Sequence, residues 1–372
     1  MKMKKIILFV AMISLFLPTQ LSANDNYSEE ENAIKSSSVE LAEKMLDSLN
    51  TELYIVSRTP LYDGEDNING FLFHLSNGNK SGYMIVFNVE GRLKVTEFSL
   101  DDDLPIVGNQ KLYYGGLASY SIKNNGTLYN VYTNKEISNA YIAKPLINYG
   151  KEKKIAPMSA VSFNVGYSSL DNTMAKIMQR EVSPYGNAKC MQTAAAMLIQ
   201  YWDEYKVGFG NFTNKKGVDL VREIENYVPL KPDKSGTYLS TLVSGMRNYI
   251  SDKGFNYSVS SHACDLNNDT LPENYILTVK QDILNERPSI VIVGQDAEYS
   301  GNNGIDLEGT TMHAMTVIGT TTAMIDTGDN VDYLRVIDPW DGISKYVAWD
   351  PYNWEARDYF AIYAIVRINI TK

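Results

Sequence analysis

Two cysteines and three histidines are all that this chain of 372 residues offers to thiol or metal chemistry. Cys190 and Cys264 allow one disulfide at most, which excludes a cysteine-rich scaffold. There is no CxxC or HExxH run, and His74, His262 and His313 are scattered, so neither a metal site nor any other cofactor is expected. Positive charge is also short. Lys plus Arg number 34 against 44 Asp plus Glu, a formal charge of −10, which argues against nucleic acid and anionic membranes as partners. The longest apolar run, Ile6 to Leu17, falls well short of the ~20 residues that span a bilayer.

That run is nevertheless informative. It follows Lys2, Lys4 and Lys5 and leads through Pro18 to Leu21-Ser22-Ala23, the pattern of a secretory signal peptide. Residues 1–23 are therefore expected to be removed, leaving a secreted, extracellular protein with no membrane contact. The full sequence is 44% apolar and 21% charged, a globular composition long enough for about two domains.

Asn24 to Asn32 is polar and acidic and reads as a disordered stub. Leu41, Met45 and Leu49 then recur every four residues among charges, which predicts an amphipathic helix over Val39 to Leu49 capped from Ser36 to Ser38. Strands follow at Leu53 to Ser57, Gly70 to Leu75, Tyr83 to Asn88, Val89 to Leu100 and within Tyr113 to Ile137, divided by Asn77-Gly78 and Asn125-Gly126 turns. Residues 24–150 thus read as a helix plus an antiparallel sheet. A charged linker, 151–160, separates them from residues 161–372, where helices lead (Met191 to Tyr205, Val218 to Tyr227, Leu239 to Ser251, Glu273 to Asn285) and strands close. Those strands are Ser289 to Gly294, His313 to Thr320, Tyr333 to Asp338, Lys345 to Trp349 and Tyr359 to Ile368, giving an α+β fold class.

Cys190 stands where the loop Pro184 to Lys189 meets the Ala-rich helix. There a thiol faces unpaired N–H groups and the positive end of the helix dipole, a setting that favours the thiolate, with Lys189 alongside. The plain alternatives are a small buried hydrophobe or half of a disulfide to Cys264. His313 opens the alternating run His313-Ala314-Met315-Thr316-Val317-Ile318-Gly319, from whose start an imidazole can act as general base. Asp338 closes Val336-Ile337-Asp338 just before Pro339, where a carboxylate can hold the second ring nitrogen. Alone, His313 could be a core histidine and Asp338 a turn cap. Together with a helix-start cysteine they form a nucleophile, base and orienting acid in the papain-like chain order.

The segment Lys189-Cys190-Met191-Gln192-Thr193-Ala194-Ala195-Ala196-Met197, ending Tyr201-Trp202, resembles the nucleophile helix of the C39-like cysteine peptidases. The runs His313 to Gly319 and Val336 to Trp340 are similar to that family's histidine and aspartate strands. The resemblance implies a papain-like catalytic domain acting on a protein or peptide substrate as a monomer. It also implies that Gln179, in Ile177-Met178-Gln179-Arg180, supplies the side-chain half of an oxyanion hole. Residues 24–150 are similar to the propeptide-like domains of secreted members, which implies a zymogen cut within Asn148 to Ser159; the alternative is a retained binding module. Lys189 and Gln192 stand where family members commonly have Gly and Pro, and Met312 where Gly often precedes the histidine, so Lys189 is expected to crowd the substrate cleft.

Weaker signals have simpler readings. His262-Ala263-Cys264 lacks chelate spacing, and Asp265 to Asp269 departs from a calcium loop at Thr270 and Ile276. The acidic runs Asp101 to Asp103 and Asp326 to Asp332 read as solvated loops. The expected activity is peptide hydrolysis through Cys190, His313 and Asp338. The same apparatus could serve a cell-wall amidase or transpeptidase, and an inactive secreted binding or adhesion protein is the rival from another class.

Overall fold

The computed structural model describes residues 28–89, 92–104, 110–134, 136–137, 156–157, 160–164, 170, 174–206, 212–263, 275–295, 298–300, 306–308, 311–325, 330–349 and 361–372. The expected leader, Cys264 with the Asp265 to Asp269 run, and most of the expected linker lie outside them. The fold is mixed α+β. It opens with α1 (Glu29–Ser48), ten residues earlier than its apolar spacing predicts. Ser28 and Glu31 close a reciprocal capping box, with the Glu31 amide donating to Ser28 Oγ and the Ser28 amide to Glu31 Oε2, so Glu29 to Asn32, the part of the expected stub that lies in α1, is helical. Ser38, expected to cap the helix, is buried in it instead.

Four long strands follow: β1 (Tyr54–Tyr62), β2 (Ile68–Ser76), β3 (Ser81–Val89) and β4 (Arg92–Ser99). They form an antiparallel meander. β3 is apolar at nearly every position because both of its faces are covered. Met84 and Val86 pack with α1 residues Leu41, Ala42 and Met45, while Tyr83, Ile85, Phe87 and Val89 join Tyr114 and Tyr120 on the opposite face. That second layer comes from β5 (Leu112–Tyr114), β6 (Tyr120–Asn124), β7 (Thr127–Asn130) and β8 (Glu136–Ile137). The β6–β7 turn places Asn125 and Gly126 at φ values of 50° and 83°, the doubly left-handed backbone of a tight hairpin.

Ala156–Pro157 (β9) pairs with β4, and Ala160–Asn164 (β10) pairs with a later strand, so the described parts of the expected linker lie within the sheet. Helices α2 (Cys190–Tyr205), α3 (Gly217–Glu225) and α4 (Leu239–Asp252) come next. Then follow β11 (Asn256–Ala263), α5 (Tyr275–Leu284), β12 (Ser289–Gln295), the small pair β13 (Glu298–Ser300) and β14 (Asp306–Glu308), β15 (Thr311–Ile325), β16 (Asn330–Ile337), β17 (Ser344–Ala348) and β18 (Ala361–Thr371).

All but β13 and β14 belong to one sheet, in the order β11-β18-β12-β15-β16-β17-β4-β3-β2-β1-β5-β6-β7-β8. The two halves meet at β17 and β4, where Tyr346 stands opposite Phe98 and Val347 opposite Glu97. The cores cross this seam too. Ala323, Tyr333 and Ala348 pack with α1, and Ile343 joins the layer containing Tyr83 and Tyr120. The third core lies between α2–α5 and strands β12, β15, β16 and β18.

Candidate active site

Cys190 is the first residue of α2, directly after a 3-10 turn over Gly186–Ala188. The helix can enter the core because Ala194, Ala195 and Ala196 are fully buried, small and strongly helix-forming. Its first turn is tied down twice. The Thr193 amide and Oγ1 both donate to the Lys189 carbonyl, at 2.9 and 2.7 Å, and Thr316 Oγ1 on β15 donates to the Ala194 carbonyl at 3.2 Å. The second contact fixes β15, three residues beyond His313, against the helix start. Cys190 is half-buried and carries a free thiol, so the disulfide reading is not realised.

His313 Nε2 donates to Asp338 Oδ1 at 2.6 Å, with both side chains almost wholly buried. Nδ1 is buried and closes no hydrogen bond of normal geometry. The Cys190 side chain is close enough to act electrostatically on the ring. Burial alone disfavours the imidazolium, but Asp338 first and Cys190 after it outweigh burial and raise the His313 pKa to about 9. The ring is further held by Trp340, stacked on it at 5.1 Å between centroids and 21° between planes.

Asp338 is held from every side. Oδ1 also accepts the Trp340 amide at 2.8 Å, and Oδ2 accepts Lys345 Nζ at 2.8 Å. Burial by itself would raise its pKa; the Lys345 ammonium, and then His313, reverse this and hold the carboxyl well below the usual range. Lys345 is itself completely buried. Its Nζ lies 3.5 Å from Asp341 Oδ2 and 3.9 Å from Glu97 Oε1, and these carboxylates with Asp338 keep it protonated despite burial. An ion in such a place without partners would cost several kcal/mol, so the cluster stands only because its members offset one another.

Gln179 begins a 3-10 turn, Gln179–Glu181, and its amide donates to the Pro339 carbonyl at 2.8 Å, which ties it to the Asp338 turn. The turn also abuts the loop before Cys190: a Cβ at Gly186 would run into the Gln179 carbonyl oxygen and meet Arg180 Cα at 3.1 Å. The Gln179 side chain is fully buried with both amide atoms unpaired, a ready donor lacking an acceptor. Gln192 is not a rival, because its Nε2 donates to the Val228 carbonyl at 2.8 Å and to Thr237 Oγ1 at 2.7 Å. Asn187 is exposed.

One sequence expectation needs correction. Lys189 does not crowd the cleft: it is 1% exposed and pairs with Glu225 on α3 at 2.8 Å. Asp101 to Asp103 lies at the surface as expected, and its members also pair in turn with Arg335, Lys176 and His74. Asp332, at the end of the other acidic run, pairs with Lys280. His74 is further bonded to Thr59, and His262 stacks on Tyr275. Among the described residues no group of His, Cys, Asp and Glu could hold a metal, and no helix is long and apolar enough to cross a membrane. Sequence reasoning missed Lys345, Glu97, Trp340 and Tyr132. Only Lys345 left a signal, as a lysine within a short alternating strand.

With a thiol at a helix start, an oriented imidazole beside it that keeps one nitrogen free, and a buried amide donor nearby, the arrangement can transfer an acyl group through sulfur. No family model and no curated protein matches the chain. Among solved structures it is similar to SERA5E from Plasmodium falciparum, at 14% identity over 56% of this chain and 97% of that one. The TM-score is 0.34, a superposition too loose to define a shared fold.

Proposed function

We propose that the chain is a cysteine peptidase with a papain-like, C39-like catalytic region, acting as a secreted enzyme on protein or peptide substrates. The observation that carries this reading is the buried His313 Nε2–Asp338 Oδ1 bond, 2.6 Å long, which leaves Nδ1 free in a ring that Cys190 also acts on. Cys190 passes its proton to Nδ1 and attacks a peptide carbonyl. Gln179 Nε2 and the Cys190 amide at the helix start steady the developing oxyanion, and His313 returns the proton to the departing amine. Water, activated by the same imidazole, then hydrolyses the thioester. Throughout, Asp338 holds the ring in one tautomer.

The test is alkylation and hydrolysis measured together. Wild type should lose peptide hydrolysis on treatment with iodoacetamide, in step with modification of Cys190. Cys190→Ala should be inactive but folded, and Cys264→Ala nearly fully active. Alkylation of Cys190 no faster than that of a model thiol, with no hydrolysis of any peptide in a mixed library, would overturn the reading in favour of a binding protein.

A further inference from the structure

We propose that the N-terminal region is a standing part of the active site and not a removable inhibitor, with Glu97 and Tyr132 as positioning residues that act on Asp338 and His313 through Lys345 and Trp340. The inference rests on the peptidase reading above.

Two routes run from the N-terminal region to the reacting groups. In the first, Glu97 on β4 is completely buried and both of its oxygens are fixed from within its own region. Oε1 accepts from Tyr83 Oη at 2.6 Å and from Tyr120 Oη, and Oε2 accepts the Ala118 amide at 2.9 Å. Glu97 stands opposite Val347 across the seam, so strand alternation places Lys345 on its side of the sheet, where Nζ reaches both Glu97 and Asp338. In the second, Tyr132 Oη donates to Asp341 Oδ2 at 2.8 Å. Its ring stacks on Trp340 at 5.8 Å and 4°, and Trp340 stacks in turn on His313.

The seam that carries these routes is built like the interior of one domain. Ser99 Oγ donates to the Ser344 carbonyl at 2.7 Å, and Tyr333 Oη to the Val95 carbonyl at 2.9 Å. Phe98 stacks on Tyr346 at 4.6 Å and 9°. An inhibitor that lies over a cleft can leave without touching the groups behind the catalytic residues. Here departure would strip β17 of its pairing with β4 and open Lys345, Asp341 and Trp340 to water, loosening the groups that support Asp338 and His313.

The experiment uses the full-length protein and its near-isosteric variants Glu97→Gln and Tyr132→Phe, with folding checked by near-ultraviolet circular dichroism. Each should lower kcat about tenfold or more while changing KM less than about twofold, because misplacing reacting groups costs rate and the altered side chains act through other residues. In parallel, active wild type is isolated by its Cys190 alkylation and weighed by native mass spectrometry. It should retain residues 28–137, as one chain or as two pieces that co-elute even after a cut within 148–159. Wild-type kcat in both folded variants, or an active form lacking the N-terminal region, overturns the inference while leaving the peptidase reading intact. An inactive wild type with an unreactive Cys190 overturns that reading first, and the inference with it.

Discussion

Asp338 and Lys345 form an ion pair, Oδ2 to Nζ at 2.8 Å, in which neither side chain has any exposure to solvent. The pair explains how a carboxylate can remain ionised beneath an imidazole in the interior, since the ammonium supplies what water would otherwise provide.

Removing the ammonium should therefore be costly. Lys345→Met leaves Asp338, Asp341 and Glu97 around an apolar side chain, and breaking such a buried cluster typically costs about 3–5 kcal/mol. The urea midpoint should fall accordingly. The acid limb of kcat should also move upward, because Asp338 loses the first of the charges that hold its pKa down. An unchanged midpoint contradicts this.

Asp338→Asn keeps the shape and removes the charge. Turnover should fall by as much as about 10⁴-fold, since the amide favours the wrong imidazole tautomer. The alkaline limb should move below that of wild type, because burial persists when the carboxylate that raises the His313 pKa is gone. A pH-rate profile of kcat measures both effects.

Gln179→Ala should lower kcat by about 10²- to 10³-fold, the usual loss for one oxyanion donor, while Cys190 alkylation stays fast. Gly186→Ala should reproduce part of the loss from a distance by pushing the turn that carries Gln179. A wild-type rate in Gln179→Ala would transfer the role to Asn187.

The raised His313 pKa also sets a stability window. The folded value, about 9, lies above the unfolded value near 6.5, so the folded state binds the proton more tightly. The contribution, on the order of 3 kcal/mol, is fully present below pH ~6.5 and is lost as pH rises through about 9. Thermal melting between pH 6 and pH 10 should show this decline in wild type. His313→Gln should lack it.

The candidate site residues were legible in the sequence because each stands where a strong local pattern begins or ends. Cys190 precedes an Ala-rich helix, His313 opens an alternating run, and Asp338 precedes a proline. The four helices of the C-terminal half and its five closing strands follow from the same periodicities, with ends displaced by a few residues. The start of α1 was missed because Glu29 to Lys35 has little apolar spacing, although Ser28 and Glu31 carry the capping signature. β11 was missed because Ser258, Ser260 and Ser261 weaken its strand signal. The Glu97–Lys345 relationship has no local trace at all. It arises from the pairing of β4 with β17, strands far apart in the chain, and the periodicity of neither one names its partner.

The position of β18 bears on how the protein comes into being. It lies between β11 and β12, pairing with both, yet the ribosome makes it after every other strand of the sheet. Until it emerges, those two strands present bare edges to solvent, and the core beneath α4 and α5 lacks Ile365, Val366 and Ile368. Folding of the C-terminal half is thus tied to late synthesis and to long-range pairing, a slow topology. A nascent chain that already contains Cys190, His313 and Asp338 does not yet have the framework that makes them one site.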